Sequence, residues 1–522
     1  MRENLAGIVK LIGISIILVA LWVLMIRLTP ESFLDSGNIE NLLRRTAMFS
    51  ILGIGVALVI MTAGIDLSLG SIVCLTGCFL ALFLKVDYQP YESAVVYEIR
   101  KSDATFLIDP EGLEVVESEA SPTEPKPEEI GKLAVGQWVR LYQTKRSRSG
   151  MHQITAVQKQ PNSGRVLLTV APAPARDESA DDGTSIAKIA PALPLLGFSE
   201  DGGNVLQVQT GSDSVPTLKA RDRLWLSDAK GRLKEHVISS TELKGEEQHV
   251  RSDLDAAIVP ADWFWVGLER RQFMSVPLAL LSVLGIGLGL GVLHGCLVTY
   301  VRLQPFVVTL CGLLIYRGWA RWLSDDQSVG FGNEYQDSLN WFSSAHYPLR
   351  LSETGWTVNL PSFFFVLLFV AVLGALLLNW TIWGRYILAL GRNEEAARFS
   401  GINTGAMKRL AYTLCGLLAG LCGILFAMDS GSISPSNQGS FFELYAIAAA
   451  VLGGCSLRGG EGSISGVIIG TALMQTLNNM ITLLKIPNTI ELVVLGGVIL
   501  LGVVFDEAVR WFFSWLGRKR RV

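Results

Sequence analysis

The chain alternates between long apolar runs and short polar connections, and one long polar block interrupts this pattern. Each apolar run comes close to the ~20 residues that a helix needs to cross the hydrocarbon of a bilayer. Runs that stay apolar over this length are typical of membrane-spanning helices. The pattern therefore predicts an all-α polytopic membrane protein with about ten transmembrane helices. The predicted spans are residues 7–28, 46–65, 68–86, 275–300, 304–323, 361–382, 410–430, 441–457, 462–484 and 488–506.

The polar block, residues 88–274, separates the third predicted span from the fourth. Short strand-like runs in it are bounded by Pro, Asn, Asp and Gly, which predicts β-strands joined by turns. A Pro- and Glu-rich stretch at 117–129 predicts disorder. The block is of ordinary domain size, so it predicts a mostly β soluble domain between transmembrane helices 1–3 (1–87) and 4–10 (275–522). The predicted strands are residues 137–143, 152–157, 165–170, 205–208, 223–226 and 235–238.

A weak internal repeat relates two stretches of the inserted block. Residues 133–141 read LAVGQWVRL, and residues 218–226 read LKARDRLWL. The repeat indicates two small β-modules or a chance similarity. The block lacks the alternating strands and helices of a two-lobed periplasmic receptor, which favours a docking, regulatory or spacer role.

Composition supports assignment of the chain to the membrane-protein class. Hydrophobic residues make up 50% of the 522 residues and charged residues only 17%, against ~25% charged in soluble domains. The net charge of -3 gives no reason to expect a nucleic-acid partner. The seven cysteines lie in apolar segments without a CxxC pair, and the five histidines form no cluster. Neither a metal site nor a disulfide framework is predicted.

Lys and Arg near the span ends predict the orientation. The tail at 518–521, the loop at 383–409 and Arg458 are basic and fall on one side when ten spans are counted, which predicts that side as cytoplasmic. The count places the insert outside. It also places Arg44 and Arg45 outside, against the rule. Treating 46–86 as one broken helix would reverse the side of the insert, so that alternative stays open.

The loop at 383–409 carries a compact motif, residues 391–402, which read GRNEEAARFSGI. A charged, helix-prone stretch between two spanning helices must lie in water at one face of the membrane. An ordinary basic loop would explain it. Its sequence pattern, Glu-Ala-Ala-x-x-x-Gly, also resembles the ATPase-docking loop of ABC-transporter permeases.

Four blocks carry a wider resemblance. The first is 62–71 (TAGIDLSLGS), the second is 304–310 (QPFVVTL) followed by Arg317-Gly318, the third is 384–402, and the fourth is 443–460. In this order, and at matching distances from the spans, they resemble the permeases of monosaccharide ABC importers of the ribose, galactose and xylose type. Departures are the turn at 291–295 (GVLHG), which usually carries Asn in the family, Tyr445 and Cys455, where the family more often has Asp and a small hydroxyl or Ala, and the large insert.

This resemblance implies a multi-pass permease of the bacterial cytoplasmic (inner) membrane, surrounded by lipid and importing a monosaccharide such as ribose. It implies an ABC ATPase subunit, an extracytoplasmic sugar-binding protein and a second permease copy, identical or different. The chain has no P-loop, so it is not expected to be an enzyme and needs no cofactor of its own. ATP and Mg²⁺ would be bound by the ATPase.

The resemblance also implies two sets of functional residues. Asp66 would lie at membrane depth, where a carboxylate normally faces a protein interior or a water-filled cavity. A cap at a tight hairpin would explain Asp66 and Ser68 equally well. The ATPase-coupling set is Glu395, Ala396, Ala397, Arg398, Gly401 and Ile402. The translocation-path set is Thr62, Asp66, Ser68, Ser71, Phe306, Thr309 and Glu443.

Two other functions stay open. The same fold could import a nucleoside, a branched-chain amino acid or a signalling furanose. Alternatively, the chain could be a membrane-anchored interaction scaffold that presents the inserted domain. An enzyme is disfavoured, because the sequence shows no nucleophile–base pair and no metal-ligand pattern.

Overall fold

A computed structural model gives the architecture of most of the membrane part and of the strands of the insert. The residues that the structure describes are 2–90, 94–100, 105–109, 133–135, 137–142, 151–160, 165–171, 188–198, 205–209, 223–228, 233–244, 247–252, 263–266, 268–331, 335, 339, 341–350, 357–487, 493, 496, 497 and 500. The predicted disordered stretch at 117–129 and almost all of the tenth predicted span lie outside them.

The chain divides into two compact units. The membrane unit comprises Met1–Val86 and Gln272–Val522, and the inserted unit comprises Asp87–Arg271.

Helices build most of the membrane unit. The described helices are α1 Arg2–Leu28, α2 Pro30–Phe33, α3 Ser36–Met61, α4 Leu69–Phe83, α5 Val276–Thr299, α6 Pro305–Leu323, α7 Trp341–Ser344, α8 Ser362–Ala375, α9 Ile382–Arg392, α10 Glu394–Phe399, α11 Thr404–Ser430, α12 Phe442–Leu452 and α13 Ile464–Leu483. A π-helical turn, Leu376–Trp380, extends α8.

Seven helical segments in the described part of the chain are long and apolar enough to cross a membrane. Five of them are complete helices, α3, α5, α6, α11 and α13. The sixth is α8 together with its π turn, and the seventh is the apolar part of α1. Together they are Leu11–Leu28, Ser36–Met61, Val276–Thr299, Pro305–Leu323, Ser362–Trp380, Thr404–Ser430 and Ile464–Leu483. Two further apolar helices, α4 and α12, are shorter, at 15 and 11 residues. Each of the first nine predicted spans overlaps one of these nine helices.

The structure corrects the predicted bounds at several helix ends. The helix predicted from residue 46 begins at Ser36, because the Asp35 carboxylate accepts hydrogen bonds from the Gly37 and Asn38 amides and caps the helix there. The span predicted to end at 457 stops at Leu452, because Gly454 adopts a left-handed conformation, φ +90°. Residues 46–86 contain the end of α3 and all of α4, with the non-helical residues 62–68 between them.

Two helices form the centre of the membrane unit. In the apolar windows of α3 and α11, 78% and 67% of residues are buried, against 11–28% in α1, α5, α6 and α8. The peripheral helices expose large apolar side chains such as Leu281, Leu314 and Phe369. Such surfaces suit a lipid environment or a further protein partner.

Glycines allow α5 to approach α11 closely. A Cβ on Gly287 would lie 2.6 Å from the Gly416 carbonyl oxygen, and a Cβ on Gly291 would contact the Tyr412 carbonyl oxygen. Small residues let the backbones of membrane helices pack directly. Gly285 and Gly289, on the same helix, would have nothing within 4 Å of an added Cβ.

The inserted unit is a β structure, as predicted, and includes all six predicted strands. The described strands are β1 Val86–Pro90, β2 Ala94–Arg100, β3 Thr105–Asp109, β4 Trp138–Tyr142, β5 Met151–Lys159, β6 Val166–Ala171, β7 Lys188–Phe198, β8 Val205–Gln209, β9 Arg223–Asp228, β10 Leu233–Lys244, β11 Glu247–Ser252, β12 Trp263–Val266 and β13 Leu268–Gln272. The first and last strands, β1 and β13, pair with each other. Alternate side chains of the early strands, such as Val166, Leu168 and Val170, are buried in a common apolar core.

The inserted strands form two closed antiparallel rings that share β7. The first ring runs β2-β3-β6-β5-β4-β7 and closes on β2; the second runs β7-β8-β11-β10-β9-β12 and closes on β7. Both rings have the same order of connections, so β4 and β9 are equivalent strands. These are the strands in the two repeated sequence stretches. Of the two explanations of that repeat, the topology favours two β-modules over chance.

We expect the α5–α11 contact to respond to side-chain size at alternate glycines. Gly287→Leu should destabilise the membrane unit by roughly 1–3 kcal/mol, because the added atoms overlap the α11 backbone. Gly285→Leu, two residues away, should be neutral or slightly stabilising, because leucine favours helix more than glycine does. Thermal unfolding of the purified variants in detergent measures both. Equal destabilisation would contradict the described packing.

Candidate functional site

The break between α3 and α4, residues 62–68, is held by its own polar groups. The Thr62 hydroxyl donates to the Val59 carbonyl at 2.7 Å, and Ala63 takes a left-handed conformation, φ +59°. One carboxylate oxygen of Asp66, Oδ1, accepts from the Ser68 amide (2.9 Å) and the Ser68 hydroxyl (2.6 Å). This oxygen closes the turn that precedes α4. Ser68, at the N-cap of α4, makes no side-chain hydrogen bond to the helix amides, so the predicted capping of α4 by Asp66 and Ser68 is not observed.

The second oxygen of Asp66 faces a histidine. Oδ2 lies 3.8 Å from Nδ1 of His294 on α5, and both side chains are only 1% exposed. Neither atom has a hydrogen-bond partner among the described residues. The other ring nitrogen of His294, Nε2, lies 2.9 Å from the Tyr316 hydroxyl on α6. An Asp–His–Tyr series thus runs from the break into two helices, and a buried carboxylate in such a place requires a partner.

The backbone of the break is bound from two directions. The Ile65 carbonyl accepts from the Tyr412 hydroxyl on α11 at 3.3 Å and from the Thr309 hydroxyl on α6 at 3.4 Å. The Ser71 hydroxyl on α4 donates to the Leu313 carbonyl on α6 at 2.8 Å. Helices α6 and α11 therefore bond to the break or to the first turn of α4, and α5 faces the break through His294.

The structure groups most, but not all, of the predicted path residues. Thr62, Asp66, Ser68, Ser71 and Thr309 lie in or against the break and are buried. Glu443, in the first turn of α12, is also buried, and its Oε2 lies 2.5 Å from the position of a Cβ on Gly70. Phe306 is 52% exposed on the surface of α6, apart from this group. Sequence reasoning missed Tyr316 and Tyr412, which look like ordinary aromatic residues in apolar helices.

A second polar network joins the end of α6 to the chain after α11. Arg317 donates to the Pro435 carbonyl at 3.0 Å and to the Gln438 carbonyl. Arg321 binds Asp326 through two hydrogen bonds of 2.9 and 2.7 Å, and the Ser436 hydroxyl donates to the same carboxylate. Short strands β14 (Val329–Gly330) and β17 (Ser432–Ile433) pair beside them. A second short pair joins β15 (His346–Arg350) to β16 (Thr357–Pro361).

Two of the four sequence blocks, the third and the fourth, meet at one backbone junction with Met61, the residue just before the first block. A Cβ on Gly391, at the end of α9, would collide with the Met61 carbonyl and the Gly460 amide. The Gly460 amide donates to the Met61 carbonyl at 2.9 Å. Gly459 and Gly460 adopt φ values of +86° and +74°, a region that favours glycine. We call Met61, Gly391 and Gly459–Gly460 the glycine junction.

The short helix α10, which contains the predicted coupling set, is capped at both ends. The Asn393 side chain accepts from the Ala396 amide at 2.9 Å. At the other end the Ile402 amide donates to the Ala397 carbonyl and the Gly401 amide to the Arg398 carbonyl, with Gly401 at φ +82°. This is a Schellman ending.

The outer surface of α10 is open. Ala397 is its one buried residue, whereas Glu395, Ala396 and Arg398 are exposed. Phe399, which sequence reasoning missed, is 84% exposed. Glu394 forms an ion pair with Lys408 of α11 at 2.7 Å. Helix α10 is therefore short, capped at both ends and largely exposed, and it follows shortly after Gly391 of the glycine junction.

We expect Asp66 and His294 to be energetically coupled. His294→Leu removes the partner of both Asp66 and Tyr316, so it should destabilise the membrane unit by about 1–3 kcal/mol. A double-mutant cycle with Asp66→Asn, read from denaturant or thermal unfolding, should give a coupling energy of at least about 0.5 kcal/mol. Ser324→Ala, at the far end of α6, is the control and should be additive with His294→Leu. Additivity in both cycles would contradict the contact.

We expect the Arg321–Asp326 pair to persist in acid. The Arg321 guanidinium, followed by the Ser436 hydroxyl, lowers the pKa of Asp326 to about 2 from an ordinary 3.8. Because the folded-state pKa is the lower one, the stabilisation is present above about pH 4 and is lost as the pH falls towards 2. The difference in thermal midpoint between wild type and Asp326→Asn should therefore be constant above pH 4 and shrink towards pH 2. A difference that disappears near pH 5 would contradict this pairing.

A family match covers the second half of the chain, and several known proteins are similar to part of it. The family described as branched-chain amino acid transport system / permease component matches residues 261–503. The ribose import permease protein RbsC of Escherichia coli K12 is 37% identical over 243 residues, which is 46% of this chain and 71% of that protein. The autoinducer 2 import system permease protein LsrC of Photorhabdus luminescens is 33% identical over 246 residues, covering 47% and 70% of the two chains. The D-allose transport system permease protein AlsC of E. coli K12 is 34% identical over 224 residues, covering 43% and 64%.

No solved structure matches this chain. The matched region begins near the end of the insert and contains α5–α13, the glycine junction except Met61, and α10. Because the identity with the ribose permease extends over more than two thirds of that protein, the chain belongs to the family of permease components of ABC importers that includes these ribose, autoinducer 2 and allose permeases.

Proposed function

We propose that the chain forms the translocation path for a monosaccharide such as ribose, in an importer driven by a separate ATPase subunit. The observation that carries the proposal is α10: a doubly capped, exposed helix on the glycine junction, in a chain 37% identical to a ribose import permease. Relatives named for ribose and allose support a small sugar as cargo.

The proposed partners follow from this role. An ABC ATPase would bind ATP and Mg²⁺ and receive α10 in a groove. An extracytoplasmic sugar-binding protein would deliver the cargo, and a second permease copy, identical or different, would complete the path. We propose the bacterial cytoplasmic membrane as the location, with about ten spans and the insert outside. The basic clusters at 383–409 and 518–521 support this orientation.

The mechanism that we propose couples α10 to the break at 62–68. Closure of two ATPase subunits would displace α10, which is stiffened by the Asn393 cap and the Gly401 ending. Gly391 touches the Met61 carbonyl, so this displacement would reach the end of α3 directly. The break would then change its orientation relative to α5, α6 and α11, alternating access between the two faces.

We propose that Asp66, Ser68, Ser71 and Thr309 shape the inner part of the path. Support comes from their burial around a non-helical break between two apolar helices, where polar side chains normally face an interior or a cavity. Glu443 and Thr62 lie beside this group. Phe306, exposed on α6, would contribute only through a surface shared with a second copy or with lipid.

Two alternatives stay as candidates. A signalling furanose as cargo is favoured by the relatives named for autoinducer 2, at 33% and 37% identity, and a nucleoside or branched-chain amino acid would use the same fold. An interaction scaffold would depend on the inserted unit rather than on α10. Co-isolation of an ATPase through α10 separates the importer from the scaffold.

We expect α10 to bind the ATPase through Phe399 and through the conformation at Gly401. Phe399→Ala should weaken co-purification of the ATPase roughly 30-fold, because it removes an exposed aromatic anchor without touching the fold. Gly401→Val should weaken it as well, because a branched residue in the left-handed region costs about 1–2 kcal/mol.

Gly401→Asn is the matched control, since asparagine tolerates this conformation and should retain most binding. Quantitative pull-down of the ATPase from membranes, normalised to the amount of permease, measures all three variants. Wild-type ATPase recovery with both Phe399→Ala and Gly401→Val would refute the docking role of α10.

A further inference from the structure

A polar cavity lies between the beginning of α3 and the end of α13. Its volume is about 370 Å³, within the range of pockets that hold small molecules. Most of its lining carries side-chain amides. The lining residues are Asn38, Asn41, Leu42, Arg45, Gln475, Asn478, Asn479, Ile481 and Thr482.

The polar lining forms one stripe on each helix. On α13, Gln475, Asn478, Asn479 and Thr482 follow a spacing of three, four and seven residues, which places them on one face. On α3, Asn38, Asn41 and Arg45 do the same. Both helices are long enough to cross a membrane, and α3 also carries Glu40 and Arg44 near this end. Polar side chains in such helices mark interior surfaces and solute pathways.

A pair of asparagines, Asn38 and Asn479, joins the two stripes. This pair uses only part of the hydrogen-bonding capacity of the lining side chains. The Asn479 amide nitrogen donates to the Asn38 side-chain oxygen at 2.6 Å. In contrast, the side chains of Asn41, Arg45, Gln475 and Asn478 make no hydrogen bond or ion pair with the described residues. Gln475 is only 3% exposed. Asn478 is half-buried, and Asn41 and Arg45 are exposed, so these side chains have polar groups available to bind a solute in the cavity.

The chemistry of the lining defines the solute. Each amide offers donors and an acceptor, which matches hydroxyl groups that donate and accept at once. Leu42 and Ile481 supply apolar surface for a carbon skeleton. The lining has one cation, Arg45, and no carboxylate, which disfavours cationic solutes. The neighbouring Arg44 is already paired with Glu40 and Asp429.

The cavity lies far from the glycine junction. Sixteen residues separate Arg45 from Met61 along α3, which corresponds to about 24 Å of helix. If α10 faces the ATPase in the cytoplasm, as proposed above, the cavity lies towards the opposite face of the membrane, from which an importer takes its cargo.

We infer that this cavity is an entry station of the permease that binds a neutral, polyhydroxylated solute of monosaccharide size. The inference rests on the proposed function and names a binding site for its substrate.

ATP-driven uptake into proteoliposomes, with the full chain, its ATPase and its binding protein, tests this inference. The probes are radiolabelled D-ribose and 2-deoxy-D-ribose, and rates are normalised to the permease in the membrane. Gln475→Met and Asn478→Leu keep approximate size but remove the amides. Each should raise the KM for ribose about tenfold and reduce the preference for ribose over the deoxy sugar, because a hydroxyl loses its partner.

Thr471→Val, on the same helix, is the matched control, because its hydroxyl bonds only the Val467 carbonyl within the helix. It should leave KM and preference unchanged. If the amide variants are inserted and transport ribose with the KM and preference of wild type, the cavity is not a substrate station and the inference is overturned, while the proposed function stands. If the wild-type assembly moves neither sugar, the proposed function fails for these sugars and the inference fails with it.

Discussion

The organisation of the membrane unit depends on a contact between backbones that leaves no room for side chains. Gly391 at the end of α9 touches the Met61 carbonyl, and Gly460 donates its amide to that same carbonyl. The end of α3, the base of α10 and the turn before α13 therefore meet without a flexible side chain between them. Close-packed contacts transmit displacement rather than absorb it. A force applied to α10 would reach the centre of the unit through this junction.

Beyond the junction, buried polar groups hold the break between α3 and α4. Asp66 closes the turn through Ser68 and faces His294, while Tyr412 and Thr309 bind the Ile65 carbonyl. In a low-dielectric interior, such groups are strong when paired and costly when separated. This gives the break a small number of defined arrangements, which suits an element that alternates between two states. His294 adds a second buried polar side chain beside the Asp66 carboxylate.

Local signals in the sequence predicted much of the architecture. Apolar segregation located all nine described apolar helices, and strand-like runs bounded by turn residues located β4, β5, β6, β8, β9 and β10. The charged, helix-prone stretch at 391–402 contains the short helix α10, but its caps at Asn393 and Gly401 were not predicted from the sequence. Hydropathy alone placed the start of α3 at 46 rather than at Ser36, because the first turns of this helix are polar. Those turns are helical because Asp35 caps them. The same omission hid the amides of Asn38 and Asn41.

Long-range pairings were beyond the reach of such signals. Nothing local to β7 shows that its first half closes one ring and its second half another. His294 and Tyr316 are 22 residues apart, and Asp66 lies on a distant segment, between α3 and α4. Phe399 became a candidate only when its exposure was known. The functional sets of residues implied by the resemblance remain predictions at the level of individual side chains.

The energy source of transport tests the central claim most directly. The full chain, reconstituted in proteoliposomes with its ATPase and binding protein, should accumulate radiolabelled D-ribose only when hydrolysable ATP is supplied on the ATPase side, and collapse of the proton and sodium gradients should leave uptake intact. Uptake without ATP, or uptake abolished by collapse of an ion gradient, would contradict the account.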